Sequence, residues 1–149
     1  AYAGAARTLV DELGLRGSVH FLGQLDEAAL YDEYRSCWLL LLSSVQETAP
    51  VVIEQAMAAG KPVVTTDAGG CAHLVADGLS GFVVPIGDVD GLAQGMRWLL
   101  EDHAAYRRMA EEARRQAERR FRASAVVDRT LELYRTLARE ARGADEGAR

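Results

Sequence analysis

Lysine is nearly missing from this 149-residue chain. Lys61 is its one example, and arginine supplies the rest of the 17 basic side chains against 22 acidic ones. The net charge of −5 argues against a general nucleic-acid partner. Cysteine is equally sparse. Cys37 and Cys71 form neither a CxxC pair nor part of a histidine cluster, so a zinc site is not expected. Cys37 abuts an apolar run and reads as a core thiol; Cys71 follows a di-glycine and is expected to be chemically accessible. No apolar run approaches the ~20 residues that span a bilayer, and no charged-then-apolar leader opens the chain. No internal repeat is evident. A hydrophobic content of 49% and a charged content of 26% are ordinary globular values, so one core is expected. At this length it buries about 70% of the unfolded chain's surface.

The informative stretch is 43–70, SSVQETAPVVIEQAMAAGKPVVTTDAGG. Before it, Trp38-Leu39-Leu40-Leu41-Leu42 is a short continuous apolar run, the pattern of a parallel strand buried on both faces. Ser43, Ser44 and Gln46 break it. Pro50 suits the first position of a helix, where no amide partner is needed. Val51, Val52, Gln55, Ala56 and Ala59 follow at helical spacing, and Gly60 is placed as a left-handed cap. Pro62-Val63-Val64-Thr65 reads as the next strand, and Asp67-Ala68-Gly69-Gly70 closes the unit. The result is a βαβ crossover with both loops at the carboxyl ends of strands, where open α/β sheets bind ligands. A Gly-Gly turn beside a helix start makes an anion site, and phosphate is the expected anion. Glu47 sits at the mouth of the helix, and Gln55 lies about two turns later at ~3.6 residues per turn. The pair has two readings: polar groups for two ends of an extended ligand, or a dipole-complementing carboxylate and a solvated glutamine.

Elsewhere, 5–13 reads as a helix ended by Gly14, and 19–22 as a strand. Asp26 caps a helix to Ser36. A short helix is expected over 73–76, then a turn at Asp77-Gly78 and a strand over 81–84 ended by Pro85. Asp88 caps a helix to Leu100, Asp102 one over 103–120, and Ser124 opens a last helix to about Arg142. That gives a domain over 1–142 and a frayed tail over 143–149. Arginines 107, 108, 114, 115, 119, 120 and 122 are interleaved with Glu111, Glu112 and Glu118, which reads as a solvated helix rather than a nucleic-acid surface. Val127, Leu131, Tyr134 and Leu137 form an apolar stripe whose default is core packing.

The run ETAPVVIEQAMAAGKPVVTTDAGG, followed by LVADGLSGFVVPIGDVDGLA and preceded by LGLRGSVHFLGQLDEAALYDEYRSCWLLLLSS, resembles the carboxy-terminal domain of GT-B glycosyltransferases. The match is to the retaining glycosyltransferase 1/family 4 type, over roughly 9–139. That family carries a Glu, seven residues, then a Glu before Ala-Met-Ala. Glu47 matches the first position; Gln55 stands at the second, and Glu54 is one residue out of register. The resemblance implies an α/β, Rossmann-like parallel sheet of about four strands with flanking helices. It implies that Glu47 contacts donor-sugar hydroxyls and has the catalytic role, and that Gln55 bonds the ribose. It assigns the diphosphate to the turn of Thr48, Ala49, Pro50 and Val51 with Gly69 and Gly70. The loop of Gly23 and Gln24 is placed near the nucleobase. Gln55 keeps an acceptor, adds a donor and removes a charge. His73 stands where the family often has Glu, and reads as a surface residue.

The same resemblance implies what lies outside this stretch: the amino-terminal acceptor domain, the first two strands of the donor domain, and the Arg and Lys that stabilise the leaving diphosphate. Lys61 lies at the wrong end of its strand for that task and reads as a helix-end cation. The expectation is a fragment of a longer cytoplasmic enzyme, at the membrane periphery or free of it, that alone transfers little or no sugar. The 2–36 segment is expected to be the least stable part. The partners are a nucleotide-diphospho-sugar donor, which is substrate rather than cofactor, and the amino-terminal domain; no metal is expected. The alternatives are a non-catalytic nucleotide- or protein-binding module on the same half-fold, a GT-B epimerase or phosphorylase half, and an unrelated doubly wound receiver. The Glu47–Gln55 spacing counts against the epimerase or phosphorylase, and the absence of an acidic cluster at strand ends against the receiver.

Overall fold

The computed structural model describes residues 2–146. The chain divides into two compact units, Ala1–Glu33 and Tyr34–Arg149. The first unit holds α1 (Tyr2–Glu12) and most of α2 (Glu27–Ser36). Its α2 begins where Asp26 predicts: the Asp26 carboxylate accepts from the Ala29 amide at 2.9 Å. Residues 19–22 are not a strand. Val19, Phe21 and Leu22 are exposed, and the amides of 20–22 donate no backbone hydrogen bond to a described residue. A strand needs a ladder partner, and this segment has none among the described residues. The sheet therefore has three strands among the described residues, rather than about four.

Those strands are β1 (Leu40–Leu42), β2 (Val63–Thr66) and β3 (Gly81–Val84), all parallel in the order β1-β2-β3. Leu40 pairs with Val63, and Val63 with Gly81, so β2 is central. All four β2 residues are buried, as expected of a parallel strand covered on both faces. β1 starts two residues later than its apolar run predicts. Trp38 turns away instead, stacks on Tyr106 with ring centroids 4.2 Å apart, and donates its indole N–H to the Leu99 carbonyl at 3.1 Å.

Around the sheet lie α3 (Val51–Ala58), α4 (Cys71–Leu74), α5 (Val89–Glu101), α6 (His103–Arg120) and α7 (Ala123–Glu146). Asp88 and Asp102 cap α5 and α6, accepting from the Gly91 and Ala105 amides at 2.8 Å each. α5 packs on β2 and β3, and α6 packs on α3 and α5. Val64, Leu92, Leu99 and Met109 form the core where they meet, with Phe82 and Tyr106 against it. Gly60 ends α3 at φ 71°, the left-handed cap conformation.

Several expectations are corrected. Pro50 is the residue before α3, not its first turn. α4 lies two residues earlier than 73–76. α7 continues to Glu146, past the boundary at Arg142, and residues 147–149 lie outside the described ones. The α7 stripe is not core: Val127, Leu131, Tyr134 and Leu137 are all exposed. The acid–base interleaving on α6 does form pairs, with Arg114 on Glu118 and both Arg115 and Arg119 on Glu112. Among the described residues, no helix is long and apolar enough to cross a membrane.

Candidate functional site

Two loops meet at the carboxyl edge of the sheet. One leaves β1 and enters α3 at residues 43–50; the other leaves β2 and enters α4 at 67–70. The two are tied together by β2 side chains: the Thr65 hydroxyl donates to the Leu42 carbonyl at 3.0 Å, and the Thr66 hydroxyl donates to the Ser44 carbonyl. A third loop joins them. The Asp67 amide donates to the Val84 carbonyl at 2.8 Å, and the Asp67 carboxylate accepts from the Ile86 amide at 2.9 Å.

The di-glycine is what lets the first two loops touch. Gly69 sits at φ +50°, and a Cβ built on it would lie 1.6 Å from the Glu47 carbonyl oxygen. A Cβ on Gly70 would lie 2.1 Å from the Thr48 carbonyl oxygen. Backbone therefore packs on backbone here, a closeness only glycine permits. A side chain at Gly70 meets the chain's own Thr48 carbonyl before it meets any ligand.

Around that contact, the amides of Ala49, Val51, Gly69 and Gly70 donate no hydrogen bond to other described residues. Pro50 has no amide to give. Thr48, Ala49, Val51 and Gly69 are exposed, while Pro50 is buried. Unpaired amides thus gather at a helix start and a glycine turn, the arrangement that binds anions.

Glu47 and Gln55 flank this patch. Glu47 is half-buried, and its carboxylate accepts from the Ser44 hydroxyl at 2.8 Å. Gln55 is half-buried on α3, and its side-chain carbonyl accepts from the Tyr34 hydroxyl at 3.1 Å. Tyr34 is 6% exposed. Burial, and secondarily the neighbouring Cys37, raise its hydroxyl above the ordinary tyrosine pKa, so it stays protonated at neutral pH. Gln55 also lines a groove of about 340 Å³ with Val51, Glu54, Phe121 and Arg122.

The remaining expected residues fall elsewhere. Gly23 and Gln24 belong to the first unit, where Gly23 turns the chain at φ 70°. Cys71 is fully buried, contrary to its expected accessibility, because α4 turns it inward against the core. Cys37 is half-buried rather than a core thiol. His73 is exposed, and its carbonyl accepts from the Arg120 guanidinium at 2.7 Å. Lys61 donates to the Arg35 carbonyl at 3.0 Å, at the carboxyl end of α2, which is a helix-end cation as expected. Among the described residues, no three His, Cys, Asp or Glu side chains gather as metal ligands would. Sequence reasoning missed Ser44 and Tyr34. Ser44, three residues before Glu47, was within reach of a local-turn argument. Tyr34 lies 21 positions from Gln55 and carries no local signal.

A parallel α/β sheet whose carboxyl edge carries a glycine turn and a helix start side by side defines a class, that of the doubly wound α/β domains. The family model of glycosyl transferases group 1 matches residues 4–116, and the chain belongs to that family. It is 32% identical over 132 residues to N-acetyl-alpha-D-glucosaminyl L-malate synthase of Bacillus anthracis, a match covering 89% of this chain and 34% of that protein. Among solved structures it is similar to sucrose-phosphate synthase from Thermosynechococcus elongatus, with a TM-score of 0.80, 30% identity, and coverage of 91% of this chain and 34% of that one. It is also similar to Anabaena Alr3699/HepE in complex with UDP, with a TM-score of 0.78, 32% identity, and coverage of 92% and 36%. The fold is that of GT-B carboxy-terminal domains. The chain thus spans 34% of the length of the first of these relatives.

Proposed function

We propose that this chain is the donor-binding part of a retaining glycosyltransferase of the family 4 type, taking a sugar from a nucleotide-diphospho-sugar. The observation that carries the reading is the backbone contact between the Gly69-Gly70 turn and the Glu47-Thr48 loop. It sets unpaired amides beside a carboxylate at the start of α3. In this reading the amides of Ala49, Val51, Gly69 and Gly70 hold the diphosphate. Glu47, oriented by Ser44, meets the sugar hydroxyls as an acceptor. Gln55, one helical turn further from the phosphates, reaches the ribose. Gly23 and Gln24 are proposed for the nucleobase. The diphosphate is stabilised by fixed dipoles and a neighbouring helix start, with no metal in the scheme. The second domain and the acceptor belong to the longer enzyme. Similarity to a protein solved with UDP and with UDP-glucose supports a uridine nucleotide as the first probe.

Two experiments test this. An amide-resolved NMR titration of the chain with UDP, GDP and ADP should give saturable shifts at Thr48, Ala49, Val51, Gly69 and Gly70 for one nucleotide. A well-dispersed spectrum that none of the three moves would refute the site. In the longer enzyme, Glu47→Ala should cut turnover by roughly a hundredfold or more while the fold survives. Near-normal turnover would remove Glu47 from the mechanism.

A further inference from the structure

The Tyr34–Gln55 contact decides which end of the Gln55 amide meets a ligand. Tyr34 is 6% exposed as a residue, and its hydroxyl proton needs an acceptor. Among the described residues that acceptor is Gln55 Oε1, at 3.1 Å. Turning the amide over would point an NH2 donor at the hydroxyl and leave the hydroxyl proton with no described acceptor. Oε1 therefore faces Tyr34, and Nε2, which has no partner among the described residues, is left for the groove that Gln55 shares with Val51 and Glu54. A carboxylate in this place would be acceptor-only; the amide held this way presents two N–H donors.

We propose that Tyr34 is a positioning residue that locks Gln55 as a hydrogen-bond donor toward a ribose hydroxyl oxygen of a bound nucleoside diphosphate. The proposal rests on the reading of Gln55 as the ribose contact. It reverses the polarity a carboxylate would impose: the hydroxyl accepts from the protein and directs its own proton elsewhere. Tyr34 never touches the ligand. It acts by removing the alternative rotamer, and at neutral pH its raised pKa keeps it a donor.

The test is the affinity of this chain for UDP against 2′-deoxy-UDP and 3′-deoxy-UDP. Wild type should prefer UDP over one of the two analogues by roughly three- to tenfold, the worth of one neutral hydrogen bond. Tyr34→Phe should lose that factor for UDP and keep wild-type affinity for the analogue, so the preference falls toward one. Gln55→Ala should do the same, and adding Tyr34→Phe to it should remove nothing more. If Gln55→Ala erases the preference while Tyr34→Phe leaves it intact, the positioning role is overturned and the ribose contact stands. If Gln55→Ala keeps the preference, the ribose contact itself is wrong. A measurement on the wild-type chain covers the case in which Tyr34→Phe does not fold. The Gln55 side-chain amide resonance should move with UDP and stay still with the discriminated analogue. A resonance unmoved by UDP, with or without shifts at Thr48 and Val51, overturns the proposal.

Discussion

β2 is wholly β-branched (Val63, Val64, Thr65 and Thr66) and the 19–22 segment includes Val19 and Phe21, all side chains that favour strands, yet the two end in opposite states. Val63–Thr66 is paired on both edges and wholly buried. Val19, Phe21 and Leu22 are exposed, and the amides beyond Val19 bond to no described backbone group. Strand propensity is a statement about fitting a pleated, half-buried surface. Where a neighbour supplies that surface the propensity is realised; where none does, it is spent on an irregular segment. Burial follows the same division. Among the described residues, every residue of the hydrophobic core lies in the second unit, whereas residues 3–18 are almost wholly exposed.

Amide exchange gives the largest expected effect and tests the contrast directly. The β2 amides should open only with the whole unit, so they should exchange at least about a thousandfold more slowly than those of 20–22. Comparable protection in both places would mean that 20–22 has a partner in solution, and the contrast would fail.

A pair of glycines sharpens it next. Gly14 and Gly69 both have positive φ, +68° and +50°. Around Gly14 an added Cβ meets nothing within 4 Å, whereas at Gly69 it meets the Glu47 carbonyl at 1.6 Å. Gly14→Ala should therefore cost only the left-handed backbone penalty, about 1–2 kcal/mol at most. Gly69→Ala adds a backbone clash and should cost about 4 kcal/mol or more. Urea unfolding followed by far-UV dichroism reads both. Equal costs would mean that the two loops at the sheet edge separate freely, which would also undo the anion site proposed on their contact.

Smaller again is Trp38→Phe. It keeps a ring on Tyr106 but removes the indole donor to Leu99, for an expected loss of about 1 kcal/mol. No measurable loss would mean that the Leu99 carbonyl is satisfied without it.

These positions also mark where residues speak for themselves and where they do not. Asp26, Asp88 and Asp102 each predict a helix start, and each caps one, because the bond reaches only three residues along the chain. The bounds of β3 and α6 are read correctly for similar local reasons. The two site loops were placed together by the rule that ligands gather at the carboxyl ends of parallel strands. Long-range partners were not legible. Trp38 leaves its strand for Tyr106, 68 positions away; Tyr34 finds Gln55; Gly69 owes its smallness to the Glu47 carbonyl. Periodicity predicts an apolar face but not what covers it, which is why the α7 stripe read as core and stands exposed.

The smallest effect asks whether surface charge adds to the stability of the second unit. Glu112 accepts from Arg119 and Arg115 at 2.9 Å each. The hydrogen bond from Arg119 is the chief cause holding its carboxyl below the usual range; burial opposes it, and Arg115 adds to it. A depressed folded pKa means that the native state binds fewer protons than the unfolded chain. The stabilisation is thus complete above the ordinary glutamate pKa of about 4.3 and is lost as pH falls through the lower folded value. Because the pair is solvent-exposed, its worth is about 0.2–1 kcal/mol and is further reduced by salt. Glu112→Gln should therefore lower the thermal midpoint slightly at pH 7, and the gap to wild type should close as the pH is taken down toward 3. A gap that persists unchanged at acid pH would show that the charge of Glu112 is not its cause. The Arg16–Asp11 pair in the first unit provides the control. Asp11→Asn should leave the unfolding of β2 untouched at every pH, since that pair lies outside the unit whose opening is being measured.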